Sequence, residues 1–83
     1  MTTTTVDIGT LIDRTPGLHG GVPHISGKGV TVRRIVSWYK RELAAEEIGD
    51  RIGNITLAEV YAALAYYHAN VAEIEADIAH QAA

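Results

Sequence analysis

The chain has 83 residues, a net charge of -3, 47% hydrophobic residues and no cysteine. A chain of this length forms at most one domain with a small core, and without cysteine it has no disulfides and no thiolate metal ligands. No signal peptide or membrane-spanning segment is predicted, so we expect a cytoplasmic protein. Residues 1–5 are polar, and we expect a disordered tail there.

Apolar residues alternate near the start of the chain. Val6, Ile8 and Ile12 would lie on one face of a β-strand, and the segments PHI and VTV flank Ser26 to Gly29 as a small hairpin. One or two short strands are not stable alone in water. We therefore expect this strand to pair across a homodimer.

The stretch HGGVPHISGKGVTVRR, residues 19–34, is rich in glycine and basic residues. Its spacing does not match a phosphate-binding loop, because Gly21 and Gly27 are separated by five residues and not four. His19 and His24 lack the further ligands of a structural metal site, and we expect solvated loop histidines. No cofactor, no small-molecule substrate and no enzymatic activity are predicted, since no serine has an ordered base partner.

Two short helices are predicted next. The first begins after Thr31 as its N-cap and runs to about Leu43, with an apolar stripe at helical spacing. The second carries two glutamates in its first turn and ends at Gly53 and Asn54, which favour a left-handed stop.

The third helix is predicted to be long. Thr56 and Glu59 have the spacing of a capping box, and apolar residues then repeat at intervals of three and four from Leu57 to residue 78. We expect one uninterrupted helix over residues 57–80, with Leu57 to Tyr67 buried within the protomer and the C-terminal part extending beyond its own domain. The strand and the free end of the helix together predict a partner or dimer interface, formed by Val6, Ile8, Ile12, Val71, Ile74 and Ile78.

Charge is distributed unevenly along the chain. Five basic residues lie between residues 28 and 41 with no acid among them, whereas no lysine or arginine follows residue 51. The third helix carries acids and no arginine that could read bases, so DNA contact is predicted through the basic group or not at all. The candidate nucleic-acid contacts are Lys28, Arg33, Arg34, Lys40 and Arg41; the alternative is a merely solvated face.

The segments GGVPHISGKGVTVRRIVSWYKRELAAEEI and ITLAEVYAALAYYHAN resemble the bacterial family called domain of unknown function 433, over about Ile12 to Asn70. The chain departs from the family pattern at Lys28 and Gly29, where the family usually has Thr and Arg. The matching positions are Gly21, Pro23, Ile25, Gly27, Val30, Val32, Glu46, Glu47, Ile48, Thr56, Ala63, Leu64 and Tyr66.

This resemblance implies a small helix-turn-helix or homeodomain-like fold, usually dimeric, in proteins regarded as antitoxins encoded beside a PIN-like nuclease toxin. We accordingly predict a mainly α protein: a three-helix domain of this kind at residues 6–70, with a short N-terminal strand or hairpin arm. Residues 71–83 are expected to extend the last helix.

Three functions remain open on the sequence alone. The first is an antitoxin-like dimer that neutralises a PIN-like nuclease, with repression of its own operon as a further role. The second is a stand-alone DNA-binding regulator, and the third is a structural dimerisation module. A neighbouring gene for a PIN-like protein would favour the first, and salt-sensitive operator binding without a partner would favour the second.

Overall fold

The structure, a computed structural model, describes residues 5–15, 17 and 21–82, with side chains up to His80. Most of the predicted tail and His19 lie outside the described residues. The fold is mainly helical with a small N-terminal sheet, as the sequence predicts. In chain order the elements are a 3-10 helix (Ile8–Leu11), β1 (Ile12–Asp13), β2 (His24–Ile25), α1 (Val32–Tyr39), α2 (Ala45–Ile52), α3 (Leu57–Ala69) and α4 (Val71–Ala82).

The N-terminal strand is much shorter than predicted. The Asp7 carboxylate accepts a hydrogen bond from the backbone N–H of Gly9, at 3.0 Å, and caps the 3-10 helix that replaces most of it. β1 pairs antiparallel with β2 of the same chain, with Ile12 opposite Ile25. The expectation of an unpaired strand, which motivated strand pairing across a dimer, is therefore wrong.

The hairpin predicted around Ser26 to Gly29 is partly formed. His24 forms an isolated antiparallel bridge with Thr31, and the N–H of Ile25 donates to the carbonyl of Val30 at 2.8 Å. Gly27 lies in the turn between Ile25 and Val30 and has a φ of 73°, a conformation that residues with a side chain rarely adopt.

Helix α1 begins where the sequence predicts and ends earlier. The Thr31 hydroxyl accepts a hydrogen bond from the N–H of Arg34 at 3.3 Å, so Thr31 is the N-cap. The helix stops at Tyr39 and not near Leu43, because a tight turn follows in which Glu42 has a φ of 65°. Leu43 still packs against the core from this turn.

Helices α2 and α3 are joined by a four-residue turn, residues 53–56. Gly53 and Asn54 have φ values of 75° and 53°, which ends α2 as predicted. The capping box is present: the Thr56 hydroxyl accepts from the N–H of Glu59 at 3.1 Å, and Glu59 accepts from the N–H of Thr56 at 2.8 Å.

The prediction of one long helix over residues 57–80 is wrong. The helix breaks at Asn70, which has φ -140° and ψ 48°, and α4 folds back onto α1. Ile74 is 0% exposed in the core and Ile78 packs against that core, so this segment does not extend beyond the domain. Asparagine is a weak helix former, and burial of Ile74 outweighs the one helical residue lost at the break.

One core holds all the helices together. It combines β2, the inward faces of α1 to α3, and Ile74 from the part of α4 whose side chains are described. Its buried members are Ile25, Val32, Ile35, Val36, Ala45, Ile48, Val60, Ala63, Tyr67 and Ile74. Among the described residues, no helix is both long and apolar enough to cross a membrane.

Candidate functional site

One side of α3 exposes large apolar groups. Leu57 is 45% exposed and Tyr61 is 53% exposed, and Ala65 is also exposed. These residues are spaced by four, so they lie in one row along the helix. We call this row the α3 face. It corrects the expectation that the whole of Leu57 to Tyr67 is buried.

An open apolar groove borders the α3 face. It lies between α3 and the N-terminal segment and has a volume of about 580 Å³. Of the predicted interface residues, Ile8 and Ile12 line this groove. Val6, two residues before Ile8, is exposed, and so is Val71 on α4. The other lining residues are Gly9, Asp13, Arg14, Ala62, Ala65 and Tyr66. The groove and the α3 face share Ala65 and so form one continuous surface.

The chemistry of this surface suits a protein partner. Helix α3, with the sequence LAEVYAALAYYHA, contains no lysine, arginine, asparagine or glutamine, which are the usual residues for reading base edges. Its first two turns instead expose Leu57, Ala58 and Tyr61. Tyrosine contributes apolar area and a hydroxyl at low entropic cost, which explains its frequent use in protein interfaces.

Sequence reasoning missed Tyr61. Apolar residues lie on every side of α3, so periodicity alone does not tell which side is buried. The available signal was that a chain of 83 residues has too little core to bury such a helix all round.

Three of the five predicted nucleic-acid contacts form ion pairs within the chain. Lys28 Nζ lies 2.7 Å from Glu59, Lys40 Nζ lies 2.6 Å from Glu75, and Arg33 Nη1 lies 3.2 Å from Asp77. From the sequence we expect no acid close to these cations. That expectation is wrong, because each of the three cations pairs with an acid from α3 or α4. Their charge is therefore already largely neutralised.

Arg34 and Arg41 differ from the other three. Both are exposed, and neither forms an ion pair in the part of the chain that the structure describes. The guanidinium of Arg41 lies 5.2 Å from the Trp38 ring centre, and that of Arg51 lies 5.6 Å from it. The cationic groups that remain are thus few: Arg34 in the first turn of α1, and Arg41 in the turn after α1, beside a partly exposed indole.

The carboxylates of α4 are held by tyrosine hydroxyls as well as by cations. Tyr66 donates to Glu73 at 2.7 Å, and Arg14 also pairs with Glu73. Burial raises the pKa of Glu73, but the hydrogen bonds from Arg14 and Tyr66 outweigh burial and lower it overall. The pKa of Glu75 is lowered by its bonds with Lys40 and Tyr67. These bonds favour the ionised forms of Glu73 and Glu75 on α4.

Glu59 has two structural roles at the start of α3. Burial raises the pKa of its carboxyl, but hydrogen bonds from Lys28 and Thr56 outweigh burial and bring the pKa below its ordinary value of 4.5. A carboxyl whose pKa is lower in the folded state stabilises the fold above the unfolded pKa, and this stability is lost as the pH falls through the folded pKa.

We therefore expect the free energy of unfolding to decrease as the pH is lowered below 4.5. The variant Glu59→Gln keeps the capping box but loses the charge pairing with Lys28, so it should cost about 1 kcal/mol at neutral pH. The free energy of unfolding should fall less steeply in acid for Glu59→Gln than for the wild type. Denaturant unfolding followed by circular dichroism at pH 3 to 7 measures both.

The variant Thr56→Ala is the matched control, because it removes the other half of the capping box. It should cost about 1 kcal/mol at neutral pH, and because it keeps the Glu59 carboxylate and its pairing with Lys28, it should retain most of the acid dependence of the wild type. An acid dependence that is the same in Glu59→Gln and in the wild type would contradict the role given to Glu59.

His24 is buried and not solvated, contrary to the sequence expectation. It is 3% exposed, and its Nδ1 lies 2.9 Å from the carbonyl of Ile25 and 3.2 Å from that of Lys28. Carbonyls only accept, so the Nδ1–H group is the donor in these contacts, and Nε2 lies 3.1 Å from the Thr15 hydroxyl. Within residues 5–15, 17 and 21–82, no cluster of three potential metal ligands occurs.

These features define a small, mainly helical domain with an exposed apolar helix face. The family model for DUF433, protein of unknown function, matches residues 12–67, about two thirds of the 83 residues. The chain belongs to the DUF433 family. The sequence matches no curated protein.

A solved structure of the same family resembles this fold. It is the crystal structure of a DUF433 member protein from Anabaena variabilis ATCC 29413, with 27% sequence identity and a TM-score of 0.77. The match covers 84% of this chain and 69% of the other. The helical arrangement described above is therefore shared by another member of the family.

Proposed function

We propose that this protein is an antitoxin-like binding protein of the cytoplasm, a dimer that neutralises a PIN-like nuclease toxin by docking on it through the α3 face. The observation that carries the proposal is the exposure of Leu57 and Tyr61, at 45% and 53%, in one row on a helix. An exposed apolar surface of this kind is stabilised when a partner covers it.

The charge of the chain supports a basic partner. The net charge is -3, and α2 exposes Glu46, Glu47 and Asp50. A nuclease that binds RNA presents a positive surface around its active site. Electrostatic attraction would speed the encounter, and burial of the α3 face would supply the affinity.

The two serines considered for catalysis support a binding role. Ser26 Oγ donates to the carbonyl of Thr10 at 2.6 Å, and Ser37 Oγ donates to the carbonyl of Arg33 at 2.8 Å. Both hydroxyls are bonded to the backbone, and within the described residues neither pairs with a base that could activate it.

Co-purification tests the proposal most simply. The chain is expressed without a tag together with the tagged product of the adjacent gene, and the complex is isolated through that tag. We expect a stable complex, and we expect the adjacent gene alone to be toxic. No complex and no toxicity would contradict the proposal.

DNA binding is the second candidate, and the exposure of Arg34 and Arg41 favours it. If α2 and α3 act as a helix-turn-helix, α3 occupies the recognition position, but its apolar residues do not read bases. Contact would then be to phosphates through α1. Duplex DNA from the gene's own promoter, titrated with the chain alone, distinguishes the candidates: Arg34→Ala with Arg41→Ala should weaken binding and flatten its salt dependence if DNA is the partner.

A further inference from the structure

Helix α4 packs against a surface that the rest of the chain forms. α4 contacts α1 through Ile74, which is fully buried, and through the pairs Arg33–Asp77 and Lys40–Glu75. Glu73 pairs in addition with Arg14, next to β1. The surface made by α1, the β1 segment and the tyrosines Tyr66 and Tyr67 of α3 thus binds an acidic amphipathic helix, and its occupant in this structure is the chain's own α4.

The connection to α4 is a single residue. Asn70 leaves the helical conformation, with φ -140° and ψ 48°, while the residues on both sides are helical. Its N–H and side-chain amide return to the carbonyls of Tyr67 and Tyr66, at 3.0 and 3.1 Å. The N–H of Ile74 already donates to the Asn70 carbonyl at 3.2 Å, as it would in a continuous helix.

The sequence pattern passes through this break without a change of phase. The apolar spacing of three and four continues from Leu64 and Tyr67 to Val71, Ile74 and Ile78. A continuous helix over residues 57–82 would therefore keep one apolar row, but it would remove Ile74 from the core. The site that α4 leaves on α1 can then be filled only by another helix with the same apolar and acidic character.

We propose that two copies of this chain exchange α4. In the exchanged dimer each α3 and α4 form one straight helix, and each α4 binds α1 of the other copy with the contacts it makes here in its own chain. The contacts are identical in both forms, so exchange costs mainly the loss of independent motion of the two chains. The proposal goes beyond the antitoxin function, since it concerns a different surface from the α3 face.

A charge-reversal pair tests the exchange. Arg33→Glu places two carboxylates together within one chain, and Asp77→Arg places two guanidinium groups together within the other. In an exchanged dimer of the two variants, both positions regain opposite charges. The variants are mixed in denaturant and refolded together, so that the test does not require either to fold alone.

Native mass spectrometry of the mixture is expected to show a heterodimer at about twice the 8.9 kDa chain mass, at least roughly tenfold more abundant than either homodimer. Arg51→Glu mixed with Glu47→Arg is the matched control, because both residues lie in α2 and do not separate on exchange. Equal heterodimer abundance in the two mixtures would overturn the proposal and leave docking through the α3 face unaffected.

A second pair of variants tests the hinge. Asn70→Ala and Asn70→Gly both remove the side-chain bond to Tyr66, but alanine favours a continuous helix and glycine disfavours it. This difference in helix propensity changes the equilibrium between the bent and the straight helix about fivefold for each hinge. For a dimer with two hinges it changes the dimerisation constant roughly 30-fold. Light scattering over a concentration series should give a dimerisation constant higher for Asn70→Ala by that factor, and equal constants would overturn the hinge at Asn70.

Discussion

Replacing Ile74 by serine is expected to unfold much of the protein at moderate temperature. Ile74 is 0% exposed, and among the α4 side chains that the structure describes it is the one fully buried in the core. Truncating a buried isoleucine costs about 2–5 kcal/mol, and serine adds the burial of an unbonded hydroxyl. A domain of this size is stabilised by only about 4–12 kcal/mol in total.

Val71→Ser is the matched control for this prediction. Val71 begins the same helix but is 44% exposed, so its replacement should change the free energy of unfolding by less than about 1 kcal/mol. Thermal unfolding followed by circular dichroism compares the two variants. Equal midpoints would contradict the packing of α4 against α1.

Ile74 and Ile78 are predicted interface residues, but the burial of Ile74 limits what a substitution at these positions can test. A free helical end would tolerate serine at both positions while losing its partner. Because Ile74 is in the core, its replacement removes the fold and the complex together, so the variant does not reveal a partner surface.

Replacing Leu57 and Tyr61 together by alanine is expected to abolish measurable binding of the nuclease partner at micromolar concentration. Buried tyrosines at the centre of an interface contribute about 2 kcal/mol or more, and the leucine adds about 1–2 kcal/mol. The sum corresponds to a loss of affinity on the order of 100-fold to 1000-fold. Titration calorimetry with the purified partner measures it.

The fold should remain intact in this double variant. Alanine favours helices, and neither replaced residue belongs to the buried core. Val71→Ala again supplies the control, since it truncates an exposed apolar residue away from the α3 face and should leave the affinity unchanged. Wild-type affinity in the Leu57 and Tyr61 double variant would remove the α3 face from the interface.

Local signals in the sequence predicted local structure well. The N-cap at Thr31, the stop at Gly53 and the capping box of Thr56 with Glu59 are all confirmed, because each depends on residues within one turn of another. The mainly helical class follows from the same signals. Family membership also followed from the sequence, since the motif residues lie in two segments that are separated by only six residues.

Features that depend on distant residues were not predictable in this way. Lys28, Arg33 and Lys40 are paired with acids 31, 44 and 35 residues further along the chain. A sequence that segregates basic and acidic residues into two halves is compatible with a cationic binding face and equally with internal ion pairs. The fold-back of α4 decides between them at Arg33 and Lys40, and the packing of the start of α3 decides at Lys28.

The break at Asn70 was hidden by the regular apolar spacing on both sides of it. Periodicity reports which residues share a row, but it does not report whether the row is straight. The extra stability that selects the bent form comes from Ile74 and the α4 ion pairs, which are tertiary contacts.

Site-specific crosslinking tests docking through the α3 face most directly. A photoreactive phenylalanine analogue is placed at Tyr61 in one sample and at Tyr39, another exposed tyrosine, which lies on α1, in a second. Each is irradiated in the presence of the purified nuclease partner and resolved by mass. We expect a crosslinked complex from position 61 and little or none from position 39; crosslinking at position 39 with none at position 61 would contradict docking through the α3 face.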